Sequence, residues 1–189
     1  MENTLQNNFL IAMPGIQNPV FKKSVIYICE HNKEGAMGII INKPLKTLKI
    51  KHLLKKLNIK TSSCLCGPKI QDAVIMGGPQ AQERGFILHS SNQLFYSSIR
   101  ISEKIVITTS RDILESIAML EQPMNVLVAL GYCTWDKNQL EQELLNNFWL
   151  TTTANQTILF NTPMKKKWIQ ASKIIGIDIY KLSIYFGHS

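Results

Sequence analysis

The sequence predicts a single α+β domain over residues 1–189, in which helices pack on an antiparallel or mixed sheet. Two apolar runs flank the segment 32–35, whose residues favour a turn, and this is the pattern of a β-hairpin. Helical patterns occur among the later strands but do not alternate with them regularly, as a parallel βαβ series requires. The chain contains no internal repeat and no linker rich in Gly, Ser or Pro. These observations favour one domain whose sheet is not purely parallel.

The first half of the chain predicts mainly strands. Asn8–Met13 forms the first, and the hairpin has the arms Ser24–His31 and Ala36–Asn42. Thr47 can cap a helix whose apolar positions follow the i, i+3, i+4, i+7 pattern. These positions are Ile50, Leu53, Leu54 and Leu57. Three further strands are predicted at Val74–Met76, Gly85–His89 and Lys104–Thr109.

The second half predicts three helices. Thr109–Asp112 has the pattern of a capping box that opens a helix over Arg111–Leu120. Asp136 can cap a second helix that ends near Asn147, with Gln139 as the reciprocal capping residue. The third follows Pro163, buries Met164, Trp168 and Ile175, and ends at Gly176. Extended segments are predicted at Asn125–Leu130, Trp149–Thr153, Thr157–Phe160 and Ile179–Phe186.

Composition predicts a cytoplasmic protein with reduced cysteines. The apolar run Val126–Leu130 is far shorter than the ~20 residues that cross a membrane, and Phe9–Met13 is too short for a secretion signal. We therefore expect no membrane partner. The four cysteines, Cys29, Cys64, Cys66 and Cys133, are too few for a disulfide scaffold in a chain of this length. Because the Cys64–Cys66 pair lacks a second ligand pair, the sequence predicts no metal and no other cofactor.

The net charge of +8 is concentrated in one segment. Residues 43–71 contain eight lysines and no acidic residue, whereas the rest of the chain carries 13 basic and 13 acidic residues. One hypothesis is nucleic-acid binding through Lys43–Lys69, with Lys46, Lys49, Lys55 and Lys56 as the candidate phosphate contacts. The alternative, which we favour, is a solvated lysine-rich face, because the chain has only three arginines and arginine is the usual bidentate donor to bases and phosphates.

Cys29 and His31 are the weak candidates for catalysis. Alternate residues of a strand share a face, so both side chains are expected on the same side, roughly 6.5–7 Å apart along the chain. A thiol and an imidazole at that spacing can act as nucleophile and base. Alternatively, Cys29 continues the apolar face of Val25 and Tyr27 and is a buried core residue.

The residue patterns favour a binding protein over an enzyme. The sequence contains no Gly-x-Ser-x-Gly, phosphate-binding or HExxH motif and no recognisable nucleic-acid module. Gly77-Gly78-Pro79 is a turn or, together with Arg84, an anion site. Gln139 and Glu143 share a helix face.

We expect a non-catalytic regulatory or binding protein with an unknown ligand or protein partner. Its predicted cleft consists of polar residues at strand ends and turns: Glu30, His31, Gly78, His89 and Glu141.

Ordered matches over nearly the whole chain resemble the AlgH/YqgE family of bacterial proteins. They include the segments 9–14, 35–38, 42–44, 77–79, 84–86 and 130–132, and Trp135, Glu143, Trp149 and Trp168. The resemblance implies an α+β fold with a bifurcated, partly barrel-like sheet surrounded by helices. The resemblance also implies that the protein regulates transcription, and it supplies no catalytic residues. Asn138 stands where the family usually has Gly, and the lysine-rich stretch is typically less basic in the family.

Overall fold

A computed structural model describes residues 4–61, 71–90, 92–119, 121, 123, 125–179 and 181–182. Within them the strands are β1 (Asn8–Ala12), β2 (Val25–Asn32), β3 (Gly35–Ile40), β4 (Pro44–Lys49), β5 (Ala73–Met76), β6 (Gln80–Ser90), β7 (Ser98–Arg100), β8 (Ile105–Thr108), β9 (Val126–Asp136) and β10 (Trp149–Thr153). The α-helices are α1 (Ile50–Lys56), α2 (Asp112–Ala118), α3 (Gln139–Leu145) and α4 (Met164–Ile174), and Thr157–Asn161 forms a π-helix.

The strands form one mixed sheet that forks at β9. The main path has the order β10-β1-β2-β3-β9-β6-β8-β7, with antiparallel neighbours. One edge of β9 is shared between two partners. Its C-terminal part, from Cys133 to Asp136, pairs with β3, whereas Ala129 and Leu130 pair in parallel with β5, which in turn pairs with β4. The sheet curls into a half-barrel, so the predicted fold class, α+β with a bifurcated, partly barrel-like sheet, is confirmed.

Glycines occupy the fork because backbones meet there. Gly131 has φ +75°, and a Cβ on it would lie 2.5 Å from the carbonyl oxygen of Gly78. The Gly77 amide donates to the Leu130 carbonyl (2.8 Å), and the Gly77 carbonyl accepts from the Ile40 amide (2.7 Å). Only glycine combines this dihedral angle with this approach at little cost. The segment predicted as a turn or anion site is therefore the junction of the two branches.

Both faces of the sheet are buried. One face carries a continuous core with Tyr27 at its centre and Trp168 of α4 against it. The opposite face carries two cores, one beneath α1 and α2 and the other between the β1–β3 region and Leu140 of α3. Full burial of one large apolar side chain contributes roughly 1.5–3 kcal/mol. These three cores fix α3 against the same end of the sheet as β1, β3 and β10.

Most predicted elements are confirmed, but four expectations are wrong in type or extent. Thr47 does not cap a helix, because residues 44–49 pair with β5 as β4 and the helix begins at Ile50. Residues 157–161 are π-helical rather than extended, with Ile158 and Leu159 buried in the core and the Thr162 amide bonded to the Thr157 carbonyl. The strand predicted to end at Leu130 continues through Gly131 to Asp136.

The fourth expectation concerns the final predicted strand. Its described residues 179, 181 and 182 are helical, and the remainder lies outside the described residues. Strand β7 was not predicted; it is an edge strand of three residues with Ile99 68% exposed. A segment so short and so exposed carries no period-2 pattern that a sequence could reveal.

Candidate ligand-binding groove

His31 and Glu141 of the predicted cleft meet at the end of β2. His31 Nε2 donates to Glu141 Oε1 at 2.8 Å, while Nδ1 accepts a hydrogen bond from the Leu5 amide at 2.9 Å. Desolvation opposes ionisation of Glu141, but hydrogen bonds from its own amide and from His31 outweigh it and lower its pKa. The pair therefore joins the first described residues to β2 and α3.

The other predicted cleft residues lie elsewhere. His89 is fully buried; its Nδ1 donates to the Ser90 carbonyl (2.9 Å), Nε2 accepts from the Thr108 hydroxyl (2.8 Å), and desolvation lowers its pKa. His89 pairs with Val126 of β9. His31 lies level with a position of β9 that is nine residues further along the strand, which corresponds to a separation of about 30 Å between the two histidines.

Glu30 is exposed and accepts a hydrogen bond from Asn32, and the backbone of Gly78 lies against that of Tyr132. The five residues therefore do not form one cleft.

A β-bulge separates Cys29 from His31. Ile28 pairs with Gly38 and Glu30 with Met37, so Cys29 is the extra residue and the alternation of faces is broken. Cys29 lies in the core of Tyr27, whereas His31 contacts α3 on the opposite face. The prediction that the two side chains share a face is wrong. Burial, with lesser contributions from Cys133 and Glu30, raises the pKa of the Cys29 thiol far above its ordinary value, which is unfavourable for a nucleophile.

The candidate phosphate contacts lie on two consecutive elements. Lys46 and Lys49 belong to β4, Lys55 and Lys56 to α1, and all four are exposed. Cys64, Cys66 and Lys69 lie outside the described residues. Within the described ranges, no three His, Cys, Asp or Glu side chains are grouped closely enough to hold a metal ion, and no helix has the length and apolarity needed to cross a membrane.

An aromatic groove lies beside the β9–α3–β10 unit. Its volume is about 510 Å³, and it is bounded by the loop that follows β1, the start of β6 and the two indoles of Trp135 and Trp149. Phe21 packs edge-on against Trp149, with ring centroids 5.8 Å apart, and the indoles themselves are 6.4 Å apart at 83°. The remaining lining residues are Gly15, Ile16, Gln17, Asn18, Pro79, Gln80, Cys133, Thr134, Gln139, Glu143 and Phe148.

Glu143 connects the elements around this groove. Its Oε2 accepts hydrogen bonds from both indole N–H groups, at 2.9 Å from Trp135 and 2.7 Å from Trp149. Its Oε1 accepts from Gln139 Nε2 at 2.9 Å, so the predicted shared face of Gln139 and Glu143 is confirmed. Gln139 Oε1 in turn accepts from the Asp136 amide at 3.0 Å, which is the bond predicted for Gln139. The prediction that Asp136 caps the helix is wrong, because Asp136 ends β9 and Asn138 is the residue that precedes α3. One carboxylate thus holds β9, α3 and β10 together with both of its oxygens.

The groove was missed by the residue patterns. Trp135, Glu143 and Trp149 are separated by eight and six residues and belong to three different elements, so the periodicity of no single element connects them. The short helix α3 reverses the chain between β9 and β10, and this brings the three side chains together. The sequence signal that could have indicated the groove is a pair of tryptophans on either side of a short helix that carries a carboxylate.

The fold and the groove together define an α+β protein built on a forked half-barrel sheet, with an aromatic groove that contains a carboxylate. A family model described as AlgH-like matches residues 9–180, and the chain belongs to the AlgH-like family. The predicted resemblance is confirmed.

Relatives match over their full length. The UPF0301 protein YqgE of Salmonella paratyphi A is 56% identical over 185 residues, which cover 98% of this chain and 99% of the relative. A UPF0301 protein of Erwinia tasmaniensis is 55% identical with the same coverage. The solution structure of AlgH from Pseudomonas aeruginosa is similar with a TM-score of 0.77 and 36% identity, covering 100% of this chain and 98% of that one. A protein from Corynebacterium diphtheriae, 18% identical with a TM-score of 0.69, shares the fold.

Proposed function

We propose that this chain is a non-catalytic regulatory protein of the cytoplasm that binds a small ligand in the aromatic groove. The observation that carries the proposal is the Glu143 carboxylate, held between two indoles in the wall of a 510 Å³ pocket. Ligand sites are typically clefts of roughly 300–1,000 Å³ with an aromatic lining and a few fixed polar groups.

The chemistry of the lining favours binding over catalysis. Among the described residues, Cys133 is the one cysteine that lines the groove; burial raises the pKa of its thiol to about 12, and its Sγ lies 3.6 Å from the Gly77 carbonyl oxygen. A thiol in this state is mostly protonated at neutral pH, and its hydrogen bond goes to a backbone carbonyl rather than to a basic side chain. Glu143, with three N–H donors around it, is already held as an acceptor. The groove therefore offers recognition groups without an activated nucleophile.

Binding can be tested with 2-phenylethanol, a neutral probe with an aromatic body. The three indole N–H resonances serve as reporters: Trp135 and Trp149 line the groove, whereas Trp168 is buried elsewhere and donates to the Ala12 carbonyl at 2.8 Å. We expect the first two to shift with a Kd on the order of millimolar, as for a ligand of about nine heavy atoms, and the third to stay unchanged.

A pair of isoleucine variants tests the location. Ile16→Tyr enlarges a side chain that lines the groove and packs against the same core as Trp135 and Trp149, so it should fill the groove and abolish the shifts. Ile99→Tyr makes the same change at an exposed position of β7 outside the lining and should leave them intact. Wild-type protein without shifts at the solubility limit of the probe, or shifts that survive Ile16→Tyr, would contradict the proposal.

The exposed lysines support a second candidate function, binding to nucleic acid. Lys46, Lys49, Lys55 and Lys56 lie on adjacent elements and form no ion pair among the described residues. About four phosphate contacts predict a slope near −3.6 for log affinity against log salt. Changing all four to Gln should remove duplex binding, whereas changing the exposed Lys165 and Lys166 of α4 should not. Absence of duplex binding at low salt would exclude this function.

A further inference from the structure

The groove differs in charge from the rest of the molecule. The whole chain carries a formal net charge of +8, with 21 lysines and arginines. Among the residues that the structure describes, no lysine or arginine lines the groove, and Glu143 is the one carboxylate in the lining. Exposed Lys22 reaches the rim, where its ammonium group donates to the Gln17 side chain at 3.3 Å. A site for an anionic ligand would be expected to use the abundant cations of this chain.

The hydrogen bonds of Glu143 leave its charge uncompensated. All three donors are neutral N–H groups, two from indoles and one from an amide. They fix the position of the carboxylate, but they carry no positive charge. A carboxylate has about four lone-pair sites, so one acceptor position remains after these three bonds. The wall of the groove therefore presents a fixed negative charge.

Aromatic rings add to the same preference. Phe21, Trp135, Trp149 and Phe148 line the groove, and Phe148 is 48% exposed at its edge. Ring faces carry a negative quadrupole and attract cations, most strongly in tryptophan. The Gln139 side chain contributes an amide beside them. A carboxylate surrounded by rings and amides is complementary to a cation with an apolar body.

We propose that the groove selects small organic cations, in which an ammonium group is attached to an aromatic or aliphatic body. This inference rests on the proposed function and names the ligand class of the same site. The ammonium group would lie beside Glu143 and the indoles, and the body would contact Phe21 and Phe148. An anion of the same shape would meet the carboxylate without a compensating lysine or arginine in the lining.

Three probes that share one phenyl body test the charge preference. Phenethylammonium, 2-phenylethanol and 3-phenylpropionate are titrated while the indole N–H resonances are followed. We expect phenethylammonium to bind about tenfold more tightly than 2-phenylethanol, the effect of a partly exposed cation–π and ion-pair contact combined. 3-Phenylpropionate should bind at least about tenfold more weakly than the alcohol. In Glu143→Gln the cation and the alcohol should bind within about threefold of each other.

A second variant guards against disruption of the indoles by Glu143→Gln. Gln17→Lys places an ammonium group at the rim of the groove from an exposed position without altering the Glu143 hydrogen bonds. It should weaken phenethylammonium binding about tenfold and strengthen 3-phenylpropionate binding. Gln170→Lys, at an exposed position of α4 outside the lining, makes the same change in net charge and should leave the order of affinities unchanged.

The outcomes separate the two proposals. If all three probes shift Trp135 and Trp149 with equal affinity, or the propionate binds most tightly, the cation preference is overturned and the groove remains a ligand site. If none of the three shifts these resonances, the proposed function fails together with the inference. A preference that persists unchanged in Gln17→Lys would also overturn the assignment of the cation to this groove.

Discussion

Replacing Lys167 by methionine should change how the stability of the protein depends on pH. Lys167 is only 2% exposed, and its Nζ donates to the carbonyl of Leu159 in the π-helix. Desolvation disfavours the ammonium form and lowers the pKa of this side chain from 10.5 to about 7. Between these two values the unfolded chain binds one proton more than the folded chain. The free energy of unfolding contributed by Lys167 is therefore greatest above pH 10.5 and falls as the pH is lowered towards 7.

The size of the effect follows from this linkage. One proton corresponds to a slope of about 1.4 kcal/mol per pH unit inside the window. The wild type and Lys167→Met share every other titrating group, including the two buried thiols, so their difference isolates Lys167 when the sites are independent. The stability of Lys167→Met minus that of the wild type should fall by about 1.4 kcal/mol between pH 8 and pH 9. Urea unfolding measured at half-unit intervals of pH gives this difference directly.

The neighbouring lysine provides the control. Lys166 belongs to the same helix but is exposed, so Lys166→Met should differ from the wild type by a constant amount across this range. A difference between Lys167→Met and the wild type that does not change with pH would refute the reasoning, because it would show that Lys167 has the same pKa in the folded and unfolded chains.

Three further predictions concern the fork, the bulge and the His31 contact. Gly131→Ala should destabilise the protein by about 2–4 kcal/mol in urea unfolding, because Gly131 has a positive φ and its added Cβ would lie 2.5 Å from a backbone oxygen. Gly85→Ala is the control: its added Cβ would meet nothing within 4 Å, so stability should change by less than about 1 kcal/mol, and similar losses in the two variants would contradict the account of the fork. Cys29, followed by peptide mapping separately from the other three cysteines, should resist iodoacetamide in the folded protein at pH 8 and react after unfolding. Labelling of Cys29 itself in the native protein at the rate of a free thiol would show that the bulge does not bury it. Glu141→Gln should lower the free energy of unfolding above pH 4.5, and this loss should disappear as the pH falls through the lowered pKa of Glu141. A loss that does not depend on pH would argue against an ionised partner for His31.

Local patterns predicted the elements in which neighbours along the chain decide the structure. The hairpin of β2 and β3 follows from its apolar runs and turn residues, and α4 follows from Pro163 and the inward Trp168. Where distant pairing decides, the prediction failed. Thr47 was predicted to cap the helix that follows it, but pairing with β5 holds residues 44–49 extended, so the helix begins only at Ile50. Tertiary pairing thus overrides a weak local preference.

The candidate site was predicted in parts. His31 and Glu141 were grouped correctly, but His89 was added because polar residues at strand ends look alike in a sequence. The prediction that Cys29 and His31 share a face was wrong because a β-bulge shifts the alternation of side chains by one residue, and no residue type in β2 indicates that bulge. The groove at Glu143 depends on how three consecutive elements fold back, which periodicity within any one of them does not contain.

The pairing of β1 with β10 has a consequence for how the protein is made. Asn8 lies opposite Thr153, 145 residues later in the chain, while the other edge of β1 is filled early by β2. At roughly 5–20 residues per second, a ribosome needs roughly 7–29 seconds to supply the missing strand. During that interval β1 presents an unpaired edge, which is a hazard for association between nascent chains. Because Trp149 is the partner of Ala12, the wall of the groove is also among the last parts of the molecule to be assembled.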